Sequence, residues 1–206
     1  MRPDADIAGA QAGHRRLERT LDDLGDDDVR APSLLPGWNV AMVLTHIARN
    51  ADSFRRILDG AKAGQVLEQY ELGATGREAD IEAGRDRSRS FVVDDVRVAN
   101  ALLEECWNGL GVDTWTDGKG RFTTGHDAPA SALPFRRWRE VVIHHRDLGL
   151  AYTELDWPDD YVAAELRQAL AGIPDRLSDL DRRRWLAWLL GRTPPPDPDA
   201  LGPWRP

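Results

Sequence analysis

The sequence predicts an all-α fold, a four-helix bundle followed by a small C-terminal helical appendage. Three observations carry that expectation. Four long segments repeat apolar residues at three- and four-residue steps. Proline-, glycine- and aspartate-rich stretches separate them. Strand-like alternation is confined to one short stretch around Asp117-Gly118. Helices with one apolar stripe each must bury those stripes against one another, and a bundle is the usual solution. The expected division is a bundle domain over 1–157 and a small helical region over 158–206 with a proline-rich tail.

The elements follow in order. Residues 6–24 form the first helix, with Ile7, Ala10, Leu17, Leu21 and Leu24 in phase. GDDDVRAPSLLPG breaks it, and Pro36-Gly37 marks a turn. A second helix spans 38–60, with Val40, Val43, Leu44, Ile47, Ala51, Phe54 and Leu58 as its stripe. Residues 63–80 are polar and contain glycine, which predicts a long connection. Helical character is weak from Ile81 and clear over 93–110. DTWTDGKGRFTT alternates in the manner of a short hairpin turning at Asp117-Gly118. Ser131 or Pro134 then opens PFRRWREVVIHHRDLG, with Gly149 near its end. Helices over 161–173 and 182–190 precede PPPDPDALGPWRP.

Composition narrows the function classes. The 206 residues are 41% hydrophobic, enough for a real core, and carry a net charge of −8. Acidic and basic residues are interleaved without a basic stripe, which argues against nucleic-acid binding. No apolar run approaches the ~20 residues of a membrane span. The first residues lack the layout of a signal peptide, so a cytoplasmic protein is expected. Cys106 is the single cysteine, so a disulfide or multi-cysteine metal site within the chain is excluded. Its amphipathic surroundings predict a buried, inert thiol.

Glu140 and His144 are four residues apart, which stacks them on one helix face. Together they can reach one cation. His145 points about 100° away and should not share it. That spacing is common in solvated ion pairs, so alone it says little. His46 lies at the edge of the apolar stripe of the second helix, where most histidines are satisfied core residues. Two such histidines and a glutamate facing one bundle interior are more specific than any one of them. Zinc accepts this donor set, and three protein ligands leave a position open for chemistry. Asn50, one turn after His46, could touch a substrate. His14 is in phase with Leu17 and could face the same interior. Arg49, Arg137 and Arg139 flank the metal helices, and arginine forks suit a carboxylate substrate. The competing class is a non-catalytic metal-binding module, which a fourth ligand such as His14 or Asp147 would favour.

The segments LPGWNVAMVLTHIARNADSF, GREADIEAG and ALPFRRWREVVIHHRDLGLAYTELDWP, with WLAWLLGR and a terminal GPW, resemble the mycothiol-dependent maleylpyruvate isomerase family on its DinB-like four-helix scaffold. They span residues 34–204. The resemblance implies His46, Glu140 and His144 as metal ligands. It implies mycothiol, a small cysteine-bearing thiol, as cosubstrate. In the isomerase the thiol adds to the cis double bond of maleylpyruvate, the adduct rotates, and the thiol leaves. The resemblance also implies a functional arginine in the C-terminal region, Arg192 by the WLxGR match. The region after 158 is short for the isomerase, which leaves isomerase and thiol transferase both open.

Overall fold

The computed structural model describes residues 1–201; the terminal GPW, with Trp204, lies outside the described residues. The chain divides into two compact units, 1–157 and 158–206. The first contains α1 (Asp4–Asp22), α2 (Val40–Lys62), α3 (Gly73–Glu82), α4 (Arg89–Asn108), α5 (Val112–Asp117), the strands β1 (Lys119–Arg121) and β2 (Asp127–Pro129), and α6 (Leu133–Asp147). The second contains α7 (Asp159–Arg176) and α8 (Asp179–Leu189).

The all-α expectation holds. The bundle consists of α1, α2, α4 and α6. Helix α2 packs on α4 and α6, and α1 packs on the same two helices from the opposite corner. The link from α1 to α2 therefore crosses the bundle diagonally. The stripe of α1 becomes core as Ile7, Ala10, Leu17 and Leu21. Helix α2 starts where Asn39 accepts a hydrogen bond from the Met42 N–H, as an N-cap. Every residue from Val40 to Ala48 is buried, because α3 and β1 cover the side of α2 that α4 and α6 leave open. Where the sequence shows a stripe, the fold makes a helix buried all round.

Two segments depart from expectation. The connection over 63–80 contains α3, and Ile81 is its buried anchor. Five residues around it are glycine or acidic and give little periodic signal, so a single apolar contact fixes this helix. The hairpin turns later than predicted, around Gly125 with φ +80°, and 112–117 is helical. There the alternation reduces to one large side chain, Trp115, which is 1% exposed and which one helical turn buries as well as a strand would. Strand β1 pairs antiparallel with β2, Gly120 opposite Ala128. A Cβ on Gly120 would lie 2.0 Å from Ile57, so the hairpin lies directly on α2. The segment leading to α3 is tied to β1 by the Gln69 N–H to the Arg121 carbonyl at 2.8 Å. That anchor directly precedes Tyr70 and α3, and α3 packs on α2.

Candidate metal centre

Helices α2 and α6 bring His46, Glu140 and His144 together. His46 Nε2 lies 3.1 Å from Glu140 Oε2 and 3.1 Å from His144 Nε2. His144 Nε2 lies 3.5 Å from Glu140 Oε2. Histidine and carboxylate ligands at about 2.0–2.1 Å from a tetrahedral ion stand about 3.3 Å from one another, by simple trigonometry. The three donors match that edge length. They form the one cluster of this kind among the described residues.

The site's surroundings orient these donors. His144 Nδ1 donates to Asp147 Oδ2 at 2.8 Å, which leaves its Nε2 lone pair facing His46 and Glu140. Trp38 meets the His46 ring edge-on, with centroids 5.9 Å apart. The loop carrying Trp38 is fixed to the end of α6 by the Leu34 N–H to the Asp147 carbonyl at 2.9 Å. Gly149, at φ +73°, lets the chain leave α6 there. The LLPGW and HHRDLG segments thus build one wall of the site together. The fit is weaker at His46 Nδ1, where the donor is Arg77 Nη2 at 3.3 Å. Once Nε2 holds a cation, Nδ1 carries its own proton, and that contact is then proximity alone.

Burial and neighbouring charges act on the three groups in different directions. Burial pushes His46 down to about 4, against the pull of Glu140. Burial also works against charge on His144, but Asp147 and Glu140 outweigh it and raise this imidazole to about 9. Burial would raise Glu140, yet hydrogen bonds from His144 and His46 hold it well below the usual carboxylate range. The pocket therefore keeps Glu140 an anion, and Glu140 and Asp147 together supply the negative charge that favours a cation beside them.

Behind the triad lies a buried network. Arg137 is fully buried, one turn before Glu140. It donates to His14 Nε2 at 3.1 Å, to the Ile47 carbonyl at 2.9 Å, to Asn50 Oδ1 at 2.8 Å and to Asn100 Oδ1 at 2.7 Å. One guanidinium thus joins α6 to each of the other bundle helices. Burial lowers it to about 10, so it remains a cation at neutral pH. His14 passes the contact to Glu104 at 2.6 Å. His14 is thus engaged by Arg137 and Glu104, and Asp147 by the far nitrogen of His144; neither joins the three clustered donor atoms.

The other sequence candidates fare differently. Asn50 is 2% exposed and committed to Arg137, a core acceptor and not a surface contact. Arg49 pairs with Asp95 at 2.5 Å and Asp52 at 3.0 Å. Arg139 stacks over Phe135 at 5.5 Å. Arg192 follows α8 in the second unit, its N–H bonded to the Ala187 carbonyl at 2.8 Å. Cys106 is half-buried instead of buried; burial and Asp59 push its thiol up to about 11. Sequence reasoning overlooked Tyr70 and Arg77. Tyr70 is 9% exposed, beside Ser53 and Arg77 and near Glu140. Arg77 lies in the GREADIEAG segment, so a signal for it existed.

The fold and the site can now be set beside known proteins. A family model described as the mycothiol maleylpyruvate isomerase N-terminal domain matches residues 10–149. Two solved structures, a mycothiol-dependent maleylpyruvate isomerase and a histidine-to-alanine mutant of it, resemble this chain with TM-score 0.74 and 24% identity. Each comparison covers 79% of this chain and 67% of the other. That likeness is one of fold. No curated protein gives a significant match. The family match covers the entire bundle from within α1 to the end of α6, with all three donors inside it, and the chain belongs to the mycothiol maleylpyruvate isomerase N-terminal domain family.

Proposed function

We propose that this protein is a divalent-metal enzyme that uses mycothiol, with zinc held by His46, Glu140 and His144. The reaction is of the maleylpyruvate isomerase type: a small thiol adds to an electrophilic substrate. The observation that carries this is the convergence of two Nε2 atoms and one carboxylate oxygen at 3.1–3.5 Å. A bound divalent cation would supply a means to deprotonate a thiol or polarise a carbonyl.

The chain's own residues do the rest. Asp147 fixes the His144 tautomer so that Nε2 is the free donor. Glu140 stays ionised because two imidazoles and the nearby Arg137 charge favour its anion. Trp38 lies edge-on to His46, and Tyr70 lies near Glu140. The thiol must come from outside, because Cys106 at about 11 is almost wholly protonated at neutral pH. Three donors with no fourth among the described residues support an open, catalytic site over a closed structural one. The assignment of Arg192 as a catalytic group rests on the family resemblance alone.

The test is metal analysis joined to turnover. The wild-type protein should carry one equivalent of zinc and consume maleylpyruvate only with mycothiol present. His46→Ala and Glu140→Gln should lose the metal and the turnover together. Full metal content in both variants would refute the ligand assignment. Turnover of neither maleylpyruvate nor other electrophiles with mycothiol would refute the activity.

A further inference from the structure

Two adjacent layers of polar contacts join α2 to α6. The first is the donor cluster, with His46 Nε2 at 3.1 Å from both Glu140 Oε2 and His144 Nε2. The second lies one turn further along α2. There Arg137 Nη1 donates to Asn50 Oδ1 at 2.8 Å and to the Ile47 carbonyl at 2.9 Å. Ile47 directly follows His46, and Arg137 stands one turn before Glu140. As α2 runs from His46 to Asn50, its partners on α6 run back from His144 to Arg137, so the two helices are antiparallel.

Apolar packing is non-directional, so it resists small slides of one helix along another only weakly. Metal donors tolerate less: their distances must hold within about 0.2 Å. Hydrogen bonds from a planar, rigid guanidinium are directional and do restrict such a slide. The guanidinium is itself held from two further sides, by Asn100 Oδ1 on α4 at 2.7 Å and by His14 Nε2 on α1 at 3.1 Å. Arg137, His14, Asn50 and Asn100 are all buried, so solvent is a poor substitute for any bond lost.

We infer that Arg137 is a positioning residue for the metal centre. By gripping Asn50 and the Ile47 carbonyl, it sets how far α6 slides along α2, and with that the gap between His46 and the Glu140–His144 pair. The effect on metal affinity rests on the proposed metal site. The spacing rests on the hydrogen bonds alone.

The experiment measures three quantities on the full-length protein. They are zinc affinity by chelator competition, the visible spectrum of the cobalt-substituted form, which reports coordination geometry, and the melting temperature. Arg137→Lys keeps the charge but not the planar fork. Asn50→Ala removes the acceptor on α2 and leaves Arg137 in place. Each should weaken zinc binding about tenfold or more, the scale of loss for groups that orient metal ligands, and alter the cobalt spectrum. Leu103→Ala, a buried α4 side chain outside these contacts, should lower the melting temperature and leave zinc affinity and spectrum unchanged. Wild-type zinc affinity in Asn50→Ala or in folded Arg137→Lys would overturn the inference, as would a comparable loss in Leu103→Ala. If Arg137→Lys does not fold, Asn50→Ala decides alone. A wild type that binds neither zinc nor cobalt would refute the metal site and not the spacing. Crystal structures of wild type and Asn50→Ala then decide: a wider gap between His46 Nε2 and Glu140 Oε2 in the variant upholds the inference, and an identical gap overturns it.

Discussion

Arg137 shows how a single residue can link stability and site. Its methionine counterpart would fill the volume but leave His14, Asn50 and Asn100 without their donor. Burying neutral polar groups without partners costs about 1–3 kcal/mol each, partly relieved by local rearrangement. We expect Arg137→Met to lose about 2–4 kcal/mol of folding stability in denaturant titrations. A loss below measurement error would mean the network is ornamental. The histidines outside the triad give a pH prediction. Burial lowers His14 and His145 to about 4, against 6.5 for the free side chain. Folding thus favours their neutral forms. The stability they contribute is complete above pH 6.5 and is lost as pH falls through 4. The urea midpoint should drop between pH 7 and pH 4.5, and a His14→Gln, His145→Gln double variant should drop less. Equal drops in both proteins would remove these two histidines as the cause. His145 was legible as pointing away from His144 and Glu140; its stacking on Tyr152 at 3.7 Å was not, because ring partners come from remote sequence.

At the scale of elements, α1 packs closely along α6. Gly9 permits it. A Cβ there would lie 2.5 Å from the Trp138 ring, with no flexible chain end to give way. Overpacking of that kind costs about 1–3 kcal/mol, and the helix propensity gained from alanine returns at most about 1. Gly9→Ala should therefore lower the melting temperature. Gly13→Ala, whose Cβ would meet Val141 at 3.4 Å, should leave it equal or slightly higher. Two unchanged melts would show that the helices slide apart freely. The long helices were readable because their apolar spacing persists over many turns. Helix α3 was not, since its only buried residue is Ile81. The hairpin was readable as an element but not in register, because the decisive contact, Gly120 on Ile57, joins residues far apart in sequence.

For the whole molecule, the donors and the partners that orient them all belong to the first unit. A protein ending at Trp157 should fold and bind one equivalent of zinc with wild-type affinity, measurable by competition with a chromogenic chelator. A hundredfold weaker site would show that the second unit helps to form it. No helix of the described residues is long and apolar enough to cross a membrane. The second unit presents Leu166, Leu170, Leu180 and Leu186 to solvent, each more than half exposed.

The sequence by itself determined the helical class, the four long helices, and the places of His46, Glu140 and His144 on two of them. Those follow from periodicity, which is local and needs no partner to be read. Tertiary structure alone decided that His46 meets Glu140 and His144, that Asn50 turns inward to Arg137, and that α3 carries Arg77 to His46. Each of these depends on which helix faces which, and that choice is made by the joint packing of side chains distant in sequence. Spacing along one helix fixes a direction from its own axis, and only the bundle fixes what lies in that direction.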